Sequence, residues 1–220
     1  MKKRFLPLLL TVLAISQSAT AQGAIVHYDF VGKAGSELLP NNTVGPLSAE
    51  GMPSNATGGE SGSGIFFDTV TSILHFDFSF SGLTGGLRDN GIHFHVGSNV
   101  FPNGPIGFNL NGGSSVEVSD EVTLLTPTIN EGETSGRIAG QIQFTDTLTL
   151  TVPNEPGIGT TDQNAIETLE AGKLYLNIHS SGYDAGELRA SLVAVPEPSS
   201  TAGILAITSF ALTFSRRRQS

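Results

Sequence analysis

The sequence predicts an all-β fold of antiparallel strands, a sandwich or a barrel, with at most one short helix. Several segments alternate apolar and polar residues with a period of two, as half-buried strands do. Clusters of Gly, Asn and Pro separate these segments, as tight turns require. Many short strands with turn signals between them are typical of an antiparallel sandwich or barrel.

In chain order, Ile25 to Phe30 is the first candidate strand, and Ile73 to Phe80 is the most regular one. The core face of the latter would carry Leu74, Phe76, Phe78 and Phe80, and the opposite face His75, Asp77 and Ser79. The other candidate strands are Gly64 to Asp68, Ile92 to Val96, Val116 to Leu125 with a break, Arg137 to Phe144, Leu148 to Val152, Leu174 to His179 and Glu187 to Val195.

Two segments break this pattern. Asp162 to Ala171 is predicted to be the short helix, with Asp162 as its cap and with Ile166 and Leu169 facing the core. Gly35 to Gly64 is rich in Gly, Ser, Asn and Pro, so we expect a surface excursion with little regular structure.

The amino terminus has the order of a secretory signal peptide. Lys2, Lys3 and Arg4 precede an apolar run from Phe5 to Ile15, and Ala19-Thr20-Ala21 provides small residues for signal peptidase. The run is short for a membrane span, which favours cleavage over anchoring. We therefore expect residues 1–21 to be removed and the domain to comprise residues 22–195.

The carboxyl terminus, residues 196–220, has three parts. These are the triplet Pro196-Glu197-Pro198, an apolar stretch from Ala202 to Phe214, and the cluster Arg216, Arg217 and Arg218. This order resembles the PEP-CTERM sorting signal of bacterial envelope proteins. The resemblance implies a transient inner-membrane intermediate and processing by an exosortase, followed by delivery to the cell surface or beyond. An ordinary stop-transfer helix is the alternative.

Without the two terminal signals the chain is strongly acidic. Residues 22–195 keep five basic and nineteen acidic side chains, a formal charge of −14 against −9 for the full chain. Such a domain repels nucleic acid and anionic lipid headgroups, which argues against nucleic acid as a partner. The sequence contains no cysteine, which excludes disulfides and thiolate metal sites.

Two stretches within residues 25–195 resemble the CHRD domain, first described in chordin. The segment Leu174 to Leu192 contains Tyr175-x-Asn177-x-His179, a short loop and Gly186-Glu187-Leu188-Arg189, as in the closing motif of that family. Gly91 to Gly97 matches its earlier His-x-His element. Ala190 departs from the family's usual Gly.

Alternation places the polar residues of these motifs on one side of each strand. His93 and His95 share a face, as do Tyr175, Asn177 and His179 on the later strand, and Glu187 and Arg189 on the last. One reading is a polar network that fixes register, with Arg189 paired to Glu187 or to a loop carbonyl. The other is a copper or zinc site formed by His93, His95 and His179.

A second resemblance bears on the metal reading. Phe80 to Leu87, the His-x-His strand and Gly182 to Arg189 resemble parts of Cu/Zn superoxide dismutase, a Greek-key sandwich in which a His-x-His pair ligates copper. The chain lacks the disulfide cysteines and the His/Asp-rich zinc loop of that enzyme. Together the resemblances imply an antiparallel Greek-key β-sandwich of superoxide-dismutase-like or immunoglobulin-like type, without full dismutase chemistry.

The sequence thus favours an exported bacterial envelope or extracellular-matrix protein with a non-catalytic structural or binding domain. No Gly-x-Ser-x-Gly, P-loop or His-Glu-x-x-His motif is present, so no catalytic residue is assigned. The expected partners are signal peptidase, exosortase and an envelope or matrix polymer, and no cofactor is expected. The alternative is a copper or zinc module, or a degenerate superoxide-dismutase-like enzyme. The loops Arg88 to Gly91 and Ser181 to Asp184 lack the ligand density of a dedicated calcium site.

Overall fold

The computed structural model describes residues 24–31, 37–40, 54–97, 104–114, 117–154 and 159–196. The predicted signal peptide and the sorting segment after Pro196 lie outside these residues. The described strands are β1 (Ile25–Val31), β2 (Glu37–Pro40), β3 (Thr57–Glu60), β4 (Ile65–Asp68), β5 (Ile73–Ser81), β6 (Leu87–Val96), β7 (Ile106–Asn109), β8 (Val122–Leu124), β9 (Gly136–Gln143), β10 (Thr149–Pro153), β11 (Thr160–Asn164), β12 (Leu174–Ser180) and β13 (Tyr183–Ala194). A single short helix, α1 (Ala165–Glu170), is found in the same ranges.

Eleven of these strands form one antiparallel sheet, and β10 and β11 form a separate pair. One half of the large sheet contains β8, β9 and β5, and the other contains β13, β12, β6 and β7. Strand β1 pairs with β4 and also with β13, so it joins the two halves, and the pair β2–β3 joins them again. The sheet therefore curls on itself into a barrel-like sandwich, which confirms the predicted all-β class.

The core lies between the two halves of this curled sheet. Strand β5 supplies Leu74, Phe76, Phe78 and Phe80, all buried as the alternation predicted. The facing half supplies Ile92, Phe94 and Val96 from β6, with Leu174, Leu176 and Ile178 from β12. Burying one such side chain contributes about 1.5–3 kcal/mol, so these two strand faces account for much of the stability.

The prediction for residues 35–64 was wrong in part. This segment contains β2 and β3, and β3 pairs with β5 from Thr57↔Ser81 to Glu60↔Phe78. The sequence of β3, Thr-Gly-Gly-Glu, has no apolar alternation, because its contribution is backbone hydrogen bonding that closes the sheet.

Other boundaries also differ from the predictions. Strands β7 and β11 were not predicted, and the predicted Val116 to Leu125 strand is reduced to Val122–Leu124 among the described residues. Strands β6 and β13 begin earlier than predicted, at Leu87 and Tyr183. These extensions contain polar and glycine-rich residues that interrupt the period of two.

The predicted helix exists, but it begins later. Asp162 belongs to β11 and accepts a hydrogen bond from Thr151 at 3.0 Å, so it does not cap the helix. Asn164 is the cap, because its Oδ1 accepts hydrogen bonds from the backbone of Ile166 and Glu167 at 2.9 and 3.3 Å. Leu169 is buried as predicted, and Ile166 packs against the core from its edge. In the part of the chain that the structure describes, no helix has the length and apolar character needed to cross a membrane.

Candidate functional site

Strands β6, β12 and β13 lie side by side, and their register aligns the polar faces predicted from the sequence. His93 is opposite Asn177, which is in turn opposite Arg189. In the next row His95 is opposite Tyr175. His179 lies two residues beyond Asn177, so it reaches His93 along the sheet diagonal. The sheet therefore brings together the three histidines that were separated by up to 86 positions in sequence.

The position of His179 is irregular on both sides. On β6, the four residues 88–91 stand between the pairs Ile178↔Ile92 and Ser180↔Leu87, opposite His179 alone. On β13, the four residues 184–187 occupy the corresponding stretch. Two bulges therefore flank a single histidine, and each turns its strand away from the regular sheet plane. The predicted loop Arg88 to Gly91 is part of β6 and forms the first bulge.

Hydrogen bonds fix the orientation of two of the rings. The Nδ1 atom of His95 donates to the carbonyl oxygen of Gly104 at 2.7 Å, and Nδ1 of His179 donates to that of Asp184 at 2.7 Å. In both neutral rings the lone pair is consequently on Nε2. The Nε2 atom of His95 is buried and has no hydrogen-bond partner among the described residues.

The third ring completes the cluster. The Nε2 atoms of His93 and His179 are 2.9 Å apart, so in the absence of a metal His93 donates to His179. Nitrogen atoms of the three rings all lie within 4.8 Å of one another. A metal ion at this point would take the place of the proton that His93 and His179 share.

Burial keeps these rings neutral. His93 is 5% exposed and His95 is 9% exposed. Desolvation, reinforced by the neighbouring histidines, lowers the pKa of His93 to about 2. Desolvation also lowers the pKa of His95 to about 4, although its bond to Gly104 opposes the shift, and it lowers the pKa of His179. Neutral imidazole is the form that ligates metal ions.

An aromatic stack supports His95 from the side of β12. The Tyr175 ring lies parallel to the His95 ring, with 5.0 Å between centroids. The guanidinium carbon of Arg189 lies over the Tyr175 ring, 3.7 Å from its centroid. The positive charge of Arg189 further disfavours protonation of His95. Tyr175 and Arg189 thus position His95 and help to keep it neutral.

The other residues of the predicted polar network, Asn177 and Glu187, make different contacts from each other. The Nδ2 atom of Asn177 lies 3.1 Å from Nε2 of His179 and donates to the Ala185 carbonyl oxygen at 3.3 Å. Its amide fills the space where a side chain on Gly186 would stand, and Gly186 has a φ of 106°, so this position requires glycine.

Glu187, one of the two partners expected for Arg189, makes its hydrogen bonds elsewhere. Glu187 accepts hydrogen bonds from the Thr84 backbone at 2.9 Å, from the Thr84 hydroxyl at 2.8 Å and from the Ser54 hydroxyl. Glu187 is 1% exposed and anchors the segments at Ser54 and Thr84, and it does not line the pocket.

The three histidines line an open pocket of about 320 Å³. The two bulges supply most of the rim, and β7 supplies an apolar residue that is half exposed. The rim residues are Arg88, Asp89, Asn90, Asp184 and Ile106. Arg88 and Asp184 pair across the two bulges at 3.2 Å.

The sequence did not identify the rim or the stack as part of the site. Tyr175 was placed on the polar face by alternation, but its stacking depends on the register between β6 and β12. Arg88 and Asn90 stand immediately before the His-x-His element in the sequence. This position could have suggested that they lie close to the histidines.

Comparison with known proteins gave one family match. The family model for the CHRD domain matches residues 43–192, a range that includes all three histidines and the two bulges. No curated protein and no solved structure matches the chain.

Proposed function

This chain belongs to the CHRD-domain family, and from that premise we propose that it is an exported, non-catalytic domain that binds a transition-metal ion, copper or zinc. The CHRD domain is an extracellular-type domain with no known enzymatic activity. The metal would be held by Nε2 of His93, His95 and His179.

The observation that supports metal binding is the convergence of three neutral imidazoles, two of which already make their outer hydrogen bonds. Metal-binding histidines commonly donate their second ring nitrogen to a carbonyl or carboxylate, which fixes the tautomer. His95 and His179 do this with Gly104 and Asp184. A purely structural cluster would be expected to satisfy Nε2 of His95, which lacks a partner in the described ranges.

The donor type and number suit copper or zinc. Three imidazole nitrogens with one further position are typical of open zinc sites, and imidazole also suits copper. In the described part of the chain, Asp89 and Asp184 are the carboxylates of the pocket, and both are engaged elsewhere. Asp89 accepts hydrogen bonds from Ser114, and Asp184 pairs with Arg88.

Elemental analysis of the purified protein after reconstitution with Cu(II) or Zn(II) tests this proposal. We expect one equivalent of metal in the wild type and less than about a tenth of that in His93→Ala/His95→Ala, because one imidazole cannot hold the ion alone. The other two histidines provide the matched control. His27→Ala/His75→Ala should retain the full equivalent, since His75 stacks on Phe66 of β4, His27 packs against the same ring at a tilt, and neither lines the pocket. Equal metal content in the two double variants would contradict the proposal.

For export, we propose cleavage by signal peptidase after Ala21, passage through the inner membrane, and exosortase processing at Pro196-Glu197-Pro198. The acidic character of residues 22–195 suits a soluble domain outside the cell. Replacement of the triplet by three alanines should leave the protein in the membrane fraction. Normal release of this variant into the medium would contradict the exosortase assignment.

A further inference from the structure

A buried positive charge lies behind the histidine cluster. Arg189 is 2% exposed, and its guanidinium covers the Tyr175 ring, which in turn stacks on His95. Resting on the proposed metal site, we propose that this stack makes the site selective for the singly charged ion Cu(I) over the divalent ions Cu(II) and Zn(II). Arg189 determines this selectivity as a positioning residue, which acts through Tyr175 and His95 and does not touch the metal.

The stack brings the charge of Arg189 to bear on a metal ligand. The rings of Tyr175 and His95 are nearly parallel, at 6°, with centroids 5.0 Å apart. Tyr175 is 0% exposed, so an aromatic ring rather than water separates the guanidinium from the histidine. Burial is the main cause of the low pKa of His95, and the charge of Arg189 lowers this pKa further. A metal ion on Nε2 of His95 is a cation as a proton is, so the same charge raises its energy.

The size of this repulsion depends on the charge of the ion. Coulomb energy is proportional to charge, so the repulsion from Arg189 is twice as large for Zn(II) or Cu(II) as for Cu(I). Because Arg189 is buried, salt screens it less than it screens the exposed carboxylates of this acidic domain. The negative charge of residues 22–195 therefore attracts cations to the protein without cancelling the local repulsion at His95.

The described pocket has no free carboxylate to offset a second charge on the ion. Asp89 accepts hydrogen bonds from Ser114, and Asp184 pairs with Arg88. The buried carboxylate of Glu187 does not line the pocket. Three neutral imidazoles are sufficient ligands for Cu(I), whereas Zn(II) takes a fourth ligand. Divalent ions would still bind, but less tightly.

The test compares Cu(I) with Zn(II), because the two ions share a closed d shell and differ in charge. The purified protein is titrated with Cu(I), kept reduced by ascorbate without oxygen, and separately with Zn(II). Each titration is made in competition with a chromogenic chelator that reports the dissociation constant. We expect the wild type to bind Cu(I) more tightly than Zn(II).

Arg189→Gln is the decisive variant, because glutamine keeps a long side chain with hydrogen-bond donors and removes the charge. Zn(II) should then bind about tenfold more tightly and Cu(I) only about threefold, since the repulsion that is removed scales with the charge of the ion. The ratio of the two affinities is the readout, because a loosened site would weaken both ions together. Arg189→Lys, which keeps the charge, should preserve the wild-type ratio.

Two other variants serve as controls. Arg137→Gln removes a positive charge from the other half of the sheet, where Arg137 pairs with Asp77 and does not line the pocket, so neither affinity should change. Asp184→Asn changes a side chain that is 73% exposed, which keeps the risk of misfolding low. It leaves Arg88 unpaired at the rim, so Zn(II) binding should weaken about fourfold and Cu(I) binding about twofold.

The outcomes separate this inference from the proposed function. If neither ion binds stoichiometrically, the proposed function fails. If both bind but Zn(II) binds more tightly, the metal site stands and the selectivity for Cu(I) is wrong. The role of Arg189 is wrong if Arg189→Gln leaves the affinity ratio unchanged. Should that variant not fold, equal weakening of the two ions in Asp184→Asn would contradict the electrostatic selection.

Discussion

Strands β5 and β6 have similar sequences on their outer faces, but they differ in structure. On β5, His75 stacks on Phe66 with 4.4 Å between ring centroids, and Asp77 pairs with Arg137 at 2.6 Å. On β6, His93 and His95 are buried and converge with His179. Strand β5 pairs with β9 in unbroken register, whereas the pairing of β6 with β12 shifts at His179. Two bulges, rather than the spacing of the histidines, therefore create the pocket.

The largest expected difference in stability between the two halves of the sheet concerns the buried carboxylates of Glu187 and Asp77. Glu187→Ala should lower the free energy of unfolding by about 3–5 kcal/mol, because Thr84 and Ser54 lose the buried carboxylate that accepts three of their hydrogen bonds. Asp77→Ala should cost on the order of 1–2 kcal/mol, since its partner Arg137 is about half exposed and can be hydrated. Urea unfolding followed by circular dichroism measures both values. Equal losses would show that Glu187 has no special role in anchoring the connecting segments.

The second bulge should also be sensitive to a single methyl group. Gly186→Ala should destabilise the protein by about 3 kcal/mol, because it adds a clash with the Asn177 amide to the strain of a positive φ. Gly132 is the control, with a φ of 85° and no atom within 4 Å of an added Cβ. Gly132→Ala should cost only about 1 kcal/mol, the backbone part alone. Similar values for the two variants would indicate that Asn177 moves aside freely.

The two strands β5 and β6 also show how much of the fold and the site could be predicted from the sequence. Alternation identified the faces of β5, β6 and β12, because a period of two follows directly from strand geometry. It identified His93, His95 and His179 as members of polar faces, and the family resemblance suggested their grouping. The order and register of the strands depend on long-range pairing, which alternation does not encode.

The parts that were missed share a physical cause. Strand β3 contributes backbone hydrogen bonds with Thr-Gly-Gly-Glu, so it has no apolar pattern to detect. The bulges at 88–91 and 184–187 interrupt the period of two, which made the first of them look like a loop. Glu187 was grouped with Arg189 by alternation alone, whereas its actual partners lie 103 and 133 residues away in sequence.

Acid should destabilise the half that carries the histidine cluster. Since the folded-state pKa values of His93 and His95 lie below the usual value of about 6.5, the unfolded chain binds more protons below that pH. The free energy of unfolding should fall as pH decreases from about 6.5 toward about 4, by up to roughly 1.4 kcal/mol per pH unit for each histidine. Urea unfolding at several pH values measures this slope in metal-free protein.

Substitution of the cluster provides the control for this pH dependence. The triple variant His93→Gln/His95→Gln/His179→Gln should lose most of the slope between pH 6.5 and 4, since glutamine does not titrate. If the slope persists unchanged, the acid sensitivity arises elsewhere and the cluster is not held neutral by burial. Bound metal should steepen the wild-type dependence, because protons compete with the ion for the same Nε2 atoms.

The smallest expected effect is the loss of the ion pair between the two bulges. The side chains of Arg88 and Asp184 are 50% and 73% exposed, so water screens their attraction, and Arg88→Gln should change stability by less than about 1 kcal/mol. Arg137→Gln, in the other half, should be the more damaging change because it leaves the Asp77 carboxylate buried beneath it. Thermal unfolding of both variants gives the comparison. A larger loss for Arg88→Gln would mean that the pair holds the bulges together.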